Sequence, residues 1–272
     1  HLSIRRQRQM CIRDSNATMS TGGPACTLLA VQALTGVVIP YLAVIDFKGV
    51  IAMSEVVGGV DVCVAQPIDD PKSKLQLEAG EHTLIGEQAL AFLRTRYGVG
   101  DGSDLSRISN QQVFLTSLVR KLKGEGVLSN PFKMFTVATA AVDNMILSRS
   151  LTDLGVMLGM AREVNQVDLD KITFIKLPVY SMEGEYAGRV GLIPDQSELL
   201  FTKLRNDEPL ILAEANPGQG AVVVEDQNSS TGSNAGSAQE SGPDAAATST
   251  PEDEPLPEWV QGTNASTKSC SN

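Results

Sequence analysis

Between Arg94 and Gln111 the sequence reads RTRYGVGDGSDLSRISNQ, gathering Arg94, Arg96, Asp101, Asp104, Arg107 and Gln111 around a glycine-punctuated loop. A guanidinium is a planar fork of donors that matches phosphate oxygens, and several together suit a pyrophosphate. One arginine here would read as a solvated charge, and Asp104 with Arg107 as an internal ion pair. Three arginines, a glutamine and two aspartates around one loop favour an anion pocket for phosphate esters. Asp104 lies i,i+3 from Arg107, a spacing that suits orienting the guanidinium better than independent base catalysis.

Two helices must position these groups. The first is a short one, with Ala89, Leu90, Phe92 and Leu93 supplying apolar spacing and Arg94 and Arg96 emerging at its end. The second starts near Asp104 or Ser106, both plausible N-caps, and runs to about Lys123. At roughly 100° per residue, Asp104, Arg107 and Gln111 share a face with Ile108, Leu115, Leu118 and Leu122, a face predicted to point inward. Polar groups on such a face must be paired or must line a pocket, since buried unsatisfied groups are costly.

The formal charge is −10 over 272 residues, but from Asp207 to Asn272 there are 11 acidic residues against one lysine. The acidity therefore belongs to a tail, and the remainder is neutral. No basic face is extensive enough for nucleic acid. Cys11, Cys26, Cys63 and Cys270 form no C-x-x-C pair, and His1 and His82 do not cluster with them, which argues against a zinc site. Export would permit disulfides, with the pairing left open. No apolar run approaches the roughly 18–20 residues that cross a bilayer.

The motif R-x-R-Y, the loop D-G-S-D and then D-x-x-R-x-x-x-Q resemble the signature of the LytR-CpsA-Psr family of bacterial cell-wall enzymes. NATMSTGGPACTLLAVQALTG, YLAVIDFKGVIAMSEVVGGVDVCV and DDPKSKLQLEAGEHTLIGEQALAFLRTRYG follow the family's order and spacing, from about Asn16 to Asp207. The resemblance implies a transferase that moves a glycopolymer from a polyprenyl-pyrophosphate carrier to peptidoglycan. It implies a three-layer α/β/α sandwich with a central mixed sheet, Mg2+ or Mn2+ as cofactor, and an extracytoplasmic protein held to the membrane by an N-terminal anchor. Arg94 and Arg96 match the R-x-R pair, and Asp104, Arg107 and Gln111 match the second motif. The arginines and Gln111 would bind the pyrophosphate; an acceptor sugar hydroxyl would attack C1 of the donor and expel lipid phosphate. The metal's carboxylates come mainly from the family's N-terminal strands, so no ligand is assigned. Where relatives carry a cysteine able to bridge to Cys63, this chain has Glu81 and His82. Two alternatives stand beside the transferase: a polyprenyl-pyrophosphate pyrophosphatase, and a non-catalytic lipid- or glycan-binding regulatory domain.

Residues 1–15 match no part of the family and read as an appended leader, with the anchor and early strands expected to be missing. Residues 16–206 read as the catalytic domain and 207–272 as a largely disordered acidic tail. Within the domain, a helix is expected from Pro24 to Gly36, a buried strand over Val37–Phe47 and a short helix over Lys48–Val57. A strand over Val60–Ala65 follows, with Asp69-Asp70-Pro71 as a turn. Helices are expected over Pro131–Asp143 and Ser150–Val164, and a strand over Ile172–Tyr180. Asp195 and Glu198 have capping-box spacing before a last helix. Alternating helices and strands imply a sheet covered by helices.

Overall fold

The computed structural model describes residues 17–224 and 255–272, so the leader and the middle of the tail lie outside the described residues. The chain is an α/β fold. In order it forms α1 (Thr18–Thr35), β1 (Ala43–Ile45), α2 (Phe47–Val56), β2 (Val60–Val64), β3 (Ile68–Asp70), β4 (Leu75–Leu77), β5 (Gly80–Leu84) and α3 (Glu87–Arg94). Then come α4 (Asp104–Gly124), α5 (Pro131–Asn144), β6 (Met145–Leu147), α6 (Leu154–Gln166), β7 (Thr173–Ile175), β8 (Val179–Ser181), β9 (Val190–Leu192) and α7 (Pro194–Arg205). Finally β10 (Ala221–Val223), β11 (Gly262–Asn264) and β12 (Ser269–Ser271) close the fold.

The central sheet is mixed, in the order β10-β12-β2-β5, with β12 parallel to β2 and the other pairings antiparallel. Its inward residues Val60, Val62 and Val64 alternate along β2 with Asp61 and Cys63, the period of a strand with one buried face. They join Ile68, Leu75, Leu84, Phe92 and Phe114 in the main core. The two phenylalanines meet in a tilted pair at 6.3 Å between ring centres, and α4 lies across β2 and β12.

In the described parts of the segment read as a disordered tail, three strands correct that expectation. β10 and β12 pair with each other, and β12 pairs with β2; β11 pairs with β7. Cys270 is disulfide-bonded to Cys63, and Leu256 and Val260 pack with Leu200 in a second cluster. A composition poor in apolar residues cannot fold alone, but this one adds strands to an existing sheet and is cross-linked there.

Other differences are local. The strand expected over Val37–Phe47 is reduced to β1, an exposed strand paired with β6 after Pro40; proline removes a ladder donor. The strand over Ile172–Tyr180 is split into β7 and β8 ahead of Pro178. Ser103, rather than Asp104 or Ser106, caps α4, its side chain accepting from the Ser106 N–H. Asp195 sits inside the first turn of α7, which starts on Pro194 with no side-chain cap. Asp46 is the N-cap of α2, accepting from Gly49 at 2.8 Å.

Candidate functional site

Residues Asp70 and Gln111 fix the end of α3, where the arginines emerge. The Asp70 carboxylate is buried and accepts the backbone N–H of Arg96 at 3.0 Å and of Tyr97 at 3.1 Å. It also accepts the Lys72 and Ser73 N–H groups in its own turn. Gln111 Nε2 donates to the Leu93 carbonyl at 3.1 Å, and Asn110 Nδ2 donates to the Phe92 carbonyl at 2.7 Å. Orphan carbonyls at a helix C-terminus need such partners. Asp70, buried on alternation with Ile68 in β3, is thus both a turn residue and the anchor of the arginine segment.

From this frame Arg96 turns toward α4. Its Nε donates to the Gly102 carbonyl at 3.0 Å and lies 3.4 Å from Asp104 Oδ1. Arg107 Nη2 lies 3.3 Å from the same oxygen. One carboxylate oxygen therefore sits between two guanidiniums, each about 40% exposed. Neither arginine side chain has another hydrogen bond or ion pair among the described residues. Their remaining donors are available to an anion, and Asp104 orients both. Gln111 is part of the same neighbourhood, but its amide N–H is committed to Leu93.

Arg94 is separated from this cluster. Its guanidinium stacks over the Phe47 ring at 4.6 Å and lines a groove beside α3.

The loop between the two arginine-bearing helices is held tightly from behind. Asp101 accepts from the Ser103 N–H and the Ser106 hydroxyl, and the hydroxyls of Ser103 and Ser106 hold its carboxyl down to about 2. Gly100 has φ +51°, and a Cβ there would stand 2.6 Å from Ser106 Oγ and 2.8 Å from the Gly220 nitrogen. The Gly100 N–H donates to the Asn272 carbonyl at 2.6 Å. Gly220 and Asn272, from the C-terminal segment, thus brace the site loop.

The face of α4 expected to point inward is divided: Leu118 and Leu122 pack against the main core, while Ile108 and Leu115 are exposed. Leu105, Ile108 and Leu115 are about 40% exposed beside Arg107, while Ser106, Ser109, Asn110, Val113, Thr116 and Ser117 are buried. Asn110 and Ser109 have partners distant in sequence, whereas Thr116 bonds back to its own helix. Asn110 Oδ1 accepts from the Ser271 hydroxyl. The Ser109 hydroxyl faces the Pro217 carbonyl at 2.9 Å and accepts from Lys176 Nζ. Burial lowers the Lys176 ammonium to about 8. Apolarity alone selects the wrong face because these partners lie far away in sequence.

The described residues contain no group of three His, Cys, Asp or Glu side chains able to hold a metal. Asp104 is engaged by two arginines and Asp101 by the Ser103 N–H and the Ser106 hydroxyl, so these carboxylates do not make a metal cage.

Asp70 carries a consequence for stability. Burial pushes its carboxyl upward, but the N–H bonds from Arg96, Ser73, Tyr97 and Lys72 outweigh burial and hold it below the ordinary 3.8. A folded pKa below the unfolded one gives stability that is present above the unfolded value and is lost as pH falls through the folded value. Asp70→Asn is expected to cost about 1–3 kcal/mol at neutral pH, the scale of unsatisfied buried groups. Urea unfolding of both proteins at about pH 7 and about pH 2 checks this. The gap should close in acid, and a constant gap would show that the carboxylate charge is not what holds the loop.

The sequence matches the model described as the LytR_cpsA_psr family over residues 3–204, a match that begins within the segment set aside as a leader. Cell wall biosynthesis protein LcpA of Corynebacterium glutamicum is 32% identical over 155 residues, 57% of this chain and 29% of that protein. The polyisoprenyl-teichoic acid–peptidoglycan teichoic acid transferase TagV of Bacillus subtilis is 29% identical over 143 residues, 51% of this chain and 36% of that protein. The matches to these two relatives thus span about a third of each relative's length. The crystal structure of B. subtilis TagV superposes with a TM-score of 0.55 at 21% identity, covering 71% of this chain and 73% of that one. A LytR-Csp2A-Psr enzyme from Actinomyces oris superposes with a TM-score of 0.51 at 24% identity, covering 70% and 72%. These likenesses show the fold.

Proposed function

Since the chain belongs to the LytR-CpsA-Psr family, we propose that it transfers a glycopolymer from a polyprenyl-pyrophosphate carrier to peptidoglycan. The observation that carries this reading is the pair Arg96 and Arg107, brought from the segment after α3 and from α4 onto one oxygen of Asp104 with their other donors unengaged. Two half-exposed guanidiniums suit the adjacent phosphates of a pyrophosphate. Gln111 and Asp70 act on the substrate through the backbone they hold. Arg94 contributes from the neighbouring groove, and the exposed Leu105 and Ile108 beside Arg107 give the first carbons of the lipid an apolar surface.

Attack at the glycan-side phosphorus fits this site better than attack at the sugar's C1. Displacement at a sugar carbon draws on carboxylates flanking the bond, and Asp101 and Asp104 are both occupied. In the phosphoryl route an acceptor hydroxyl oxygen bonds to phosphorus and its proton is released. The bond from that phosphorus to the bridging oxygen breaks, and the lipid monophosphate leaves. Arg96 and Arg107 neutralise the charge that gathers on the phosphoryl oxygens. Magnesium, which needs only one or two carboxylates beside phosphate oxygens, would supply further positive charge to the phosphates; no group of three His, Cys, Asp or Glu among the described residues would hold it.

Disulfide bonding of Cys63, Cys270 and Cys26 supports an oxidising, extracytoplasmic setting. No helix among the described residues is long and apolar enough to cross a membrane.

Incubating the protein with a lipid-pyrophosphate-linked, radiolabelled glycan and peptidoglycan sacculi tests the reading. Label is expected in the sacculi, falling about 100-fold or more in Arg96→Ala, within the range for lost transition-state donors. Release of free glycan phosphate with unlabelled sacculi would mean a pyrophosphatase, and binding without turnover would mean a regulatory domain.

A further inference from the structure

A groove of about 320 Å³ runs between the β3–β4 turn and α3, a volume at the lower end of small-molecule clefts. Lys74 and Gln76 stand on the turn side, Gln88 and Arg94 on the helix side, and Leu90 and Ala91 between them. We propose that this groove seats the acceptor, an N-acetylated saccharide bearing a carboxylate, as in a peptidoglycan strand with its peptide stem. The proposal rests on reading the chain as a glycopolymer transferase and assigns the acceptor's place, which the arginine cluster does not.

The chemistry of the lining selects that ligand. Two amides offer both donors and acceptors to sugar hydroxyls and N-acetyl groups. The small patch made by Leu90 and Ala91 suits a pyranose face or an acetyl methyl, and it has no extended apolar track for a prenyl chain. Lys74 and Arg94 against Glu87 leave one net positive charge, which favours a carboxylate over a neutral sugar.

The groove is also preformed. Lys74 is held at φ +61°, a left-handed backbone that non-glycine residues rarely adopt and that collects at functional positions. The turn beside it is fixed by Asp70, which accepts from Lys72 and Ser73, and by a 2.7 Å hydrogen bond between the Ser73 and Thr95 hydroxyls. Because Asp70 also accepts from Arg96 and Tyr97, one carboxylate sets the turn and the arginine segment together. Stacking on Phe47 fixes Arg94 at the groove's end, two residues before Arg96.

The test is a titration of the 15N-labelled full chain with a soluble disaccharide–tripeptide peptidoglycan fragment, with chitobiose as the neutral control. The expected result is millimolar binding of the fragment, shifts concentrated at Lys74, Gln76, Gln88 and Ala91, and weaker binding of chitobiose. Lys74→Asn keeps a residue that tolerates left-handed backbone and is expected to weaken the fragment about tenfold, the effect of one lost charged contact. Gln88→Ala, at an exposed helix position, is the second variant and should also weaken it. Binding of geranylgeranyl pyrophosphate should be unchanged in Lys74→Asn. No fragment binding, shifts elsewhere, or an affinity unchanged from wild type in both variants would overturn the acceptor assignment while leaving the donor site standing. Loss of pyrophosphate binding by the wild-type chain would instead remove the functional reading beneath it.

Discussion

Replacing Arg107 by alanine is expected to weaken polyprenyl-pyrophosphate binding by about 2 kcal/mol, close to 30-fold, with little change in folding stability. The expectation follows from where the side chain stands. Arg107 is about 40% exposed and meets the protein through one 3.3 Å contact with Asp104, also exposed. An ion pair of that kind contributes little to stability, so its loss should leave the melting temperature within a degree or two. A charge-assisted hydrogen bond to phosphate is stronger. Removing Arg107 also leaves the Asp104 carboxylate facing the anion with one cation fewer beside it. Arg107→Lys should recover only part of the affinity, because an ammonium cannot present the planar fork. Calorimetric titration and thermal unfolding of the same preparations check both halves. A large fall in melting temperature with unchanged affinity would make Arg107 structural.

The second large effect concerns stability. Cys63 and Cys270 are 207 residues apart in sequence and lie opposite each other on β2 and β12. Closing a loop of that length restricts the unfolded chain, and loop entropy puts the stabilisation near 5 kcal/mol, with measured losses usually about 2–5 kcal/mol. The double substitution Cys63→Ser, Cys270→Ser is expected to lower the melting temperature by roughly 5–20 °C. It should also loosen the site, because the strand it releases carries the Ser271 hydroxyl bonded to Asn110 and leads to the Asn272 carbonyl bonded to Gly100. Pyrophosphate affinity should therefore fall along with stability, although no cysteine touches the anion site. An unchanged melting temperature after substitution, or after full reduction, would contradict this.

Much of the site was legible because its chemistry is local. Arg96, Asp104 and Arg107 are close in sequence, and the i,i+3 spacing of Asp104 and Arg107 in a helix is enough to predict their ion pair. What stayed hidden depends on partners remote in sequence. The buried face of α4 is made of Ser109, Asn110 and Thr116 rather than Ile108 and Leu115. The first two are satisfied by Lys176, Pro217 and Ser271, and Thr116 bonds back to its own helix. A rule that ranks faces by apolarity cannot anticipate those bonds. The same limit applies to the tail, whose few apolar residues gain a core only by joining β2 and β7. Asp70 was visible as a turn residue; its inward place beside Ile68 in a strand was the signal for its second role. Arg94 shows the opposite failure, since its spacing from Arg96 implied a shared site and the end of α3 sends the two in different directions.

Whether Arg96 and Arg107, joined through Asp104, form one site for a pyrophosphate is read out by titrating the protein with geranylgeranyl pyrophosphate and geranylgeranyl monophosphate under identical conditions. The two ligands share a tail and differ in one phosphate. The diphosphate is expected to bind at least about tenfold more tightly, a difference of roughly 1.4 kcal/mol, and the Arg96→Ala, Arg107→Ala double variant should bring the two ligands to the same affinity. Equal affinities in the wild-type protein would mean that the lipid tail alone is held and that the arginines do not form a pyrophosphate site.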